Sequence, residues 1–499
     1  MVASQGTRPS IAITVLVAFA FLFCDTLAER ADNEQPELVP IGLQKQLLVD
    51  HYAIDTVENL TFELGETTKA NHGQPVLAPD KPWENLAGSF GSYATAMYEG
   101  GRFRMWYRAS GSLLGYAESH DGIHWNKPEL GLVYYEGSRE NNLVDREIGN
   151  GLSVFRDTHE TDPEHRYKIC YAGPGTRAAL GYSEDGFLWK KYNAGEPVTG
   201  RAADTYNQLL WDEIANVYRL YTRTDYQTIV GSEMEVRGTR GMINADVKSD
   251  PTNWTTTGNW RLDREDPEDY RRRQNYAMTV WIYEGIYFAL MNVYEWPMDF
   301  SEGPQDLWKR HERDIINYYI ATSRDGDTWD FTWVYRGEPI VQRGPDGSFD
   351  KDMVFSNSNI VTHDDQHWLY YTGHRERHWI DSPAPPAIGL ATLPLDRFVC
   401  LQAGNEIGVM TTRPFLLEGG DLWLNTEAAM GSIYVEVLDN ERAPIPGFTR
   451  AEVKAIEGVD RLRCPVTWNG ETGLESLIGR VVHLRFYLCR AKLFAFQVQ

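Results

Sequence analysis

Three short segments of this chain share one pattern. They are Ala117-Glu-Ser-His-Asp121-Gly-Ile-His-Trp125, Gly181-Tyr-Ser-Glu-Asp185-Gly-Phe-Leu-Trp189 and Ala321-Thr-Ser-Arg-Asp325-Gly-Asp-Thr-Trp329. A worn copy, Ser249-Asp250-Pro-Thr-Asn-Trp254, fills the gap between the second and third, and Ala391-Thr-Leu-Pro-Leu-Asp396 is read as a fifth copy without its Trp. The Asp positions 121, 185, 250, 325 and 396 then mark five units of near-constant length. Internal repetition of this kind constrains a fold more than any motif, because each unit must bury its apolar face against its neighbours. Every unit also carries a β-rich run ahead of the turn: Arg102–Arg108, Arg166–Tyr171, Val217–Tyr221, Ile286–Met291 and His367–Tyr371.

About four strands per unit fit a propeller blade better than a solenoid coil, and closing such sheets in a ring protects their edges. The expectation is an all-β chain: a five-bladed β-propeller over 80–401 followed by a C-terminal β-sandwich over 402–499. Residues 29–79 are expected to add a strand to the propeller, from Gln44–Ile54 to the last blade. The sandwich strands are read at Phe415–Asn425, Ser432–Leu438, Leu462–Trp468 and Val481–Leu488, the last with clean alternation. The repeated Asp is read as structural: Asp accepts turn N–H bonds, Gly takes the positive φ, and Trp packs between blades.

Composition narrows the function. A net charge of −23 argues against nucleic acid, whose phosphates need a basic face. Arg8, the short apolar run Ile11–Phe23 and Thr26-Leu27-Ala28 read as a signal peptide over 1–28, against the competing reading of an uncleaved anchor. No second apolar span follows, so a secreted chain is expected, extracellular or periplasmic, with no membrane span after cleavage. Cys170, Cys400, Cys464 and Cys489 contain no C-x-x-C pair, which removes zinc ribbons. Cys464 and Cys489 are left either as a disulfide or as two buried thiols.

In a propeller, residues just before a blade's first strand and just after its second lie at one mouth of the channel. That rule selects Glu84, Asp204 and Asp350, then Arg108, Arg223, Glu295, His374 and Arg375. Acids and arginines on one rim suit glycosidic cleavage. One carboxyl protonates the leaving oxygen while another, ionised, activates water or attacks the sugar. Asp204 and Glu295 are the preferred pair, Glu84 and Asp350 the next, and Arg108, Arg223, His374 and Arg375 are read as substrate-binding. The plain alternative for any one of them is a solvated or ion-paired loop charge. His363, His367, His374 and His378 are spaced by four within pairs, but on strands that spacing does not make a metal face, and no metal is expected. Arg156-Asp157-Thr158 is similar to an Arg-Asp-Pro motif of some sugar-cleaving propellers, yet falls by a turn at the far end of its strand. Asn59-Leu-Thr61 and Asn253-Trp-Thr255 are glycosylation sequons.

With Ser-x-Asp-Gly-x-x-Trp at Ser119–Trp125, Ser183–Trp189 and Ser323–Trp329, and five units from about 80 to 400, the chain resembles the five-bladed propeller glycoside hydrolases, the invertase, levanase and arabinanase superfamily. The resemblance implies two or three acids at the channel mouth, a carbohydrate substrate and no cofactor. The chain has no Asn-Asp-Pro-Asn-Gly near the first unit and no Glu-Cys pair in the middle ones, so fructan specificity is not carried over. A carbohydrate-binding, lectin-like propeller is the alternative from another class. A sialidase is a third reading, one that would need six blades.

Overall fold

The computed structural model describes residues 38–84, 89–200, 204–223, 227–228, 235–262, 273–296, 314–377, 384–470 and 473–499. The signal segment read at 1–28 lies outside them. The described chain is nearly all β, its one α-helix being the single turn Thr332–Arg336. No helix among the described residues is long and apolar enough to cross a membrane.

From residue 95 the strands form successive antiparallel units. The first is Thr95–Glu99, Arg102–Ser110, Leu113–Ser119 and Leu143–Asp145. The second is Ser153–Arg156, Tyr167–Gly173, Arg177–Ser183 and Lys190–Lys191, and the third Gln208–Asp212, Val217–Arg223, Thr239–Asn244 and Thr255–Trp260. Arg273–Tyr283, Ile286–Glu295 and Ile315–Ser323 make the fourth. The fifth pairs Met353–Ser356 and Val361–His363 with Gln366–His374, then Ala387–Pro394. Its outer edge is covered by Thr68–Lys69 from the start of the chain. A single parallel pair, Ile316 with Met353, joins the fourth and fifth units.

The repeated turn works as its chemistry predicts. In each of the three clear copies the Asp carboxylate accepts the N–H groups two and three residues on: Ile123 and His124, Phe187 and Leu188, Asp327 and Thr328. The Ser hydroxyl accepts the N–H of the following Gly, which sits at positive φ. That Gly is also where neighbouring units meet. A Cβ on Gly122 would lie 2.7 Å from Trp368 and Tyr370 of the fifth unit, and one on Gly186 2.7 Å from Trp106 of the first. Trp125 stays between units as expected, edge-on to Tyr370. The worn copy is centred on Asn244 and Asp246 instead of Ser249 and Asp250. Asn244 accepts the Asp246 N–H, and Asp246 accepts those of Lys248 and Ser249, as Ser and Asp do elsewhere. Asp396 is not a turn-capping copy: its carboxylate takes the Tyr283 hydroxyl and Lys45.

The C-terminal strands are linked by hydrogen bonds into one path. Hydrogen bonding runs through one curled ten-stranded sheet, because Leu422–Leu438 is long enough to pair with Ile456–Val466, Val481–Cys489 and Lys492–Val498 together. Gln46–Leu47, Ile54–Glu58 and Thr61–Leu64 belong to this sheet, so the Gln44–Ile54 segment does not edge the fifth unit. Val399–Gln402 belongs to it as well, which moves the junction ahead of residue 401. Leu47, Val49 and Val399 share one buried core with Phe288, Leu369 and Leu393 of the fourth and fifth units. The disulfide alternative is excluded. Cys464 lies opposite Leu424 and Cys489 opposite Ser432, on the order of 20 Å apart along the strand. All four cysteines of the described chain are free thiols.

Candidate functional site

The first strands of the five units are stitched to one another. Thr95 Oγ1 meets Ser358 Oγ at 2.6 Å and accepts the Val154 N–H at 3.0 Å. Asn207 Nδ2 donates to the Gly151 carbonyl at 2.9 Å. Gln208 donates to the carbonyls of Val280 and Ser358 at 2.8 and 2.9 Å and accepts the Val280 N–H at 2.6 Å. These bonds separate two mouths. At one, the ends of the first strands surround a cavity of about 430 Å³, walled by Tyr98, Glu99, Arg156, Trp211 and Trp281. The sequence-selected acids lie at the other, where first strands begin and second strands end.

At that mouth Asp204, ahead of the third unit's first strand, receives Arg223 Nη1 at 2.7 Å on both carboxylate oxygens. Arg223 is nearly withdrawn from water while the Asp204 side chain is 39% exposed, so a buried cation presents a carboxylate to solvent. Tyr93 donates to the Asp204 carbonyl at 3.3 Å and meets the Tyr276 hydroxyl at 3.3 Å. Burial, with Tyr276 beside it, pushes the Tyr93 phenol well above its ordinary value against the pull of Arg108, so it stays protonated.

Glu295 ends the fourth unit's second strand. Its Oε1 accepts Arg273 Nε at 3.0 Å and the Tyr319 hydroxyl at 2.7 Å, and its Oε2 accepts Asn317 Nδ2 at 2.5 Å. Three donors from the two flanking strands thus hold one carboxylate. His374 closes the wall: its ring lies 5.2 Å from Phe355, which lies 5.6 Å from Tyr276. Burial lowers the His374 pKa to about 4, leaving the ring neutral near pH 7, and among the described residues its Nε2 has no hydrogen-bond partner. Arg108 lies with its guanidinium carbon 5.9 Å from the centre of the Tyr93 ring. Arg375 is exposed just beyond the second strand of the fifth unit.

Glu84 and Asp350 correspond to each other, but not as rim acids. Glu84 is fully buried, bonded to the Tyr107 hydroxyl at 2.6 Å, Lys127 at 2.6 Å and the N–H groups of Asp80 and Lys81. Asp350 is equally buried, taking the Tyr371 hydroxyl at 2.8 Å and Lys69 at 2.5 Å. A lysine and a tyrosine commit each carboxylate to packing, which withdraws both from a sugar. Asp157 is committed in the same way, to Lys168 at 2.5 Å and the Tyr218 hydroxyl at 2.7 Å. His367 spends its ring nitrogens on Thr362 and the Asp396 N–H, and His363 stacks on Tyr98. His378 lies outside the described residues.

Residues the sequence reading missed are Tyr93, Tyr276, Arg237 and Asp314. Arg237 and Asp314 directly precede third strands, and the antiparallel rule, extended by one strand, selects both. Asp314 is fully buried and acts electrostatically on Tyr294, as do Arg237 and Arg223.

No family model matches this chain. Two curated proteins of Mycobacterium tuberculosis, both described as uncharacterized, are 31% identical to it over 120 residues, covering 21% of this chain and 36% of theirs. The chain spans about a third of the length of the curated relatives it matches. Similar solved structures include a thermostable family-43 glycoside hydrolase, at 14% identity and TM-score 0.42, covering 63% of this chain and 92% of that one. The α-L-arabinofuranosidase of Podospora anserina in complex with cellotriose is 11% identical, with TM-score 0.41, over 66% of this chain and 96% of that one. An N-acetylgalactosamine deacetylase from F. plautii is 14% identical, with TM-score 0.40, over 68% of this chain and 97% of that one. At these scores the likenesses decide neither the reaction nor its residues for this chain.

Proposed function

We propose that the five units close as a five-bladed propeller and that the mouth bearing Asp204 and Glu295 cleaves O-glycosidic bonds in an exported protein. The observation that carries this is the Asp204–Arg223 clamp: a carboxylate held by a buried guanidinium, yet open to solvent at a rim of tyrosines and arginines. Asp204 is the member that takes a proton from water or attacks the anomeric carbon. Glu295, held by Arg273, Asn317 and Tyr319, is the second carboxyl of the pair. Arg108, His374 and Arg375 line the approach. Export rests on the N-terminal reading of Arg8, Ile11–Phe23 and Ala28.

One observation favours a second reading, a propeller that binds sugar without cleaving it. Both candidate carboxylates already have every oxygen occupied by fixed donors. Release of reducing ends from a panel of oligo- and polysaccharides separates the two readings. In the hydrolase, Asp204→Asn and Glu295→Gln each lower kcat by about 10²–10⁴-fold with the thermal midpoint little changed. Wild-type turnover in both variants removes the assignment, and binding without release favours the second reading.

A further inference from the structure

The chain carries −23 overall, yet several of the described groups at this mouth are arginines. Among the described residues its carboxylates are ion-paired or buried: Asp204 with Arg223, Glu295 with Arg273, Asp352 with Lys351 at 2.7 Å, and Asp314 fully withdrawn from water. Its arginines are not all matched. Arg237 places its guanidinium over two phenol rings, 5.6 Å from the centre of Tyr276 and 5.2 Å from that of Tyr294. Arg108 lies over Tyr93 and gives only its Nε, at 2.7 Å, to the Gly111 carbonyl. Arg343 is held by neutral oxygens alone, Asn317 Oδ1 at 3.1 Å and the Lys351 carbonyl at 2.8 Å. Among the described residues, no carboxylate forms an ion pair with Arg108, Arg237 or Arg343.

Arg108 and Arg237 flank one feature, the contact between the Tyr93 and Tyr276 hydroxyls. Each guanidinium is partly withdrawn from water on an aromatic face, with terminal N–H groups left over. A ring face compensates a cation only in part, whereas a planar fork of N–H donors fits an oxyanion in two-point fashion. Among the described residues, two such forks stand on either side of the Tyr93–Tyr276 hydroxyl contact with no carboxylate ion-paired to either.

We infer that the saccharide taken at this mouth is anionic, its carboxylate or sulfate group received by Arg108 and Arg237. The inference rests on the site assigned above but not on its chemistry, since a binder and a hydrolase recognise the same group.

The test is calorimetric titration of the full chain with uronic-acid oligosaccharides, sulfated oligosaccharides, and the same compounds after carboxyl reduction or desulfation. We expect at least one charged series to bind tenfold or more tighter than its neutralised form. Moving from 0.05 to about 0.5 M salt should narrow that difference, as screening requires. Arg237→Gln and Arg108→Gln should each reduce the discrimination about tenfold, and Arg237→Lys should restore part of it. Which series binds identifies the group as carboxylate or sulfate. Equal affinity for charged and neutral forms, no binding of any charged member, or discrimination that survives the double Gln variant overturns the inference. The wild-type comparison stands even if a variant misfolds. Binding without bond cleavage leaves the inference intact and removes only the hydrolase reading.

Discussion

Lys127 and Lys69 do the same thing in the first and fifth units: each closes a buried carboxylate onto a tyrosine hydroxyl. Glu84 and Asp350 stand 23 and 21 positions before Tyr107 and Tyr371, and each accepts that tyrosine's hydroxyl. What that spacing does not display is the third member of each trio, since Lys127 lies 43 positions after Glu84 and Lys69 lies 281 positions before Asp350. Removing one partner of a buried pair leaves the other charge in a poor solvent. We therefore expect Glu84→Gln and Asp350→Asn each to cost about 3 kcal/mol of stability, read from urea midpoints. Turnover per folded molecule should stay close to wild type. A loss of kcat without a loss of stability returns these acids to the catalytic site. Asp204 and Glu295 were legible because a rule about strand direction is local. Their clamps were not, because Arg223 is told apart from any other arginine only by burial.

The three clear turns were legible down to individual hydrogen bonds, because each is made by residues within three positions of one another. Asn244–Asp246 escaped notice for the complementary reason: Asn replaces Ser and Val247 replaces Gly, so the geometry survives where the letters do not. The turns also carry a pH signature. Burial pushes the Asp325 carboxyl up, but the N–H groups of Thr328 and Asp327 and the hydroxyls of Thr328 and Ser323 outweigh it and hold the pKa at about 2. An unfolded aspartate titrates near 3.9. The folded state therefore gains stability above about pH 4 that is lost as pH falls toward 2. Asp325→Asn should lower the urea midpoint at pH 6 and flatten its dependence between pH 4 and 2. An unchanged slope in that window would show that the turn carries no such linkage.

At the scale of the molecule, the repeat pointed to successive antiparallel units and could not reveal how the ends are joined. Pairing between Val399–Gln402 and Thr61–Leu64 bridges more than three hundred positions, and no local pattern reports it. Because one core draws on the fourth and fifth units, the N-terminal strands and the C-terminal sheet together, the two parts should not melt separately. Scanning calorimetry of the full chain is expected to give a single transition, with calorimetric and van't Hoff enthalpies in agreement. Two resolved transitions would show the curled sheet to be an independent domain.

The pairing of Gln46–Leu47 with the last strand, Lys492–Val498, has a consequence in time. The Gln497 side chain reaches the Leu43 carbonyl across 454 positions. At ordinary rates of synthesis the early strands wait roughly half a minute to a minute and a half for their partners to be made. During that wait Thr68–Lys69 has no edge to cover and the ten-stranded sheet lacks a side. The early strands are thus built to finish folding only once residues 492–498 have been made, so the order of synthesis and the order of pairing run against each other.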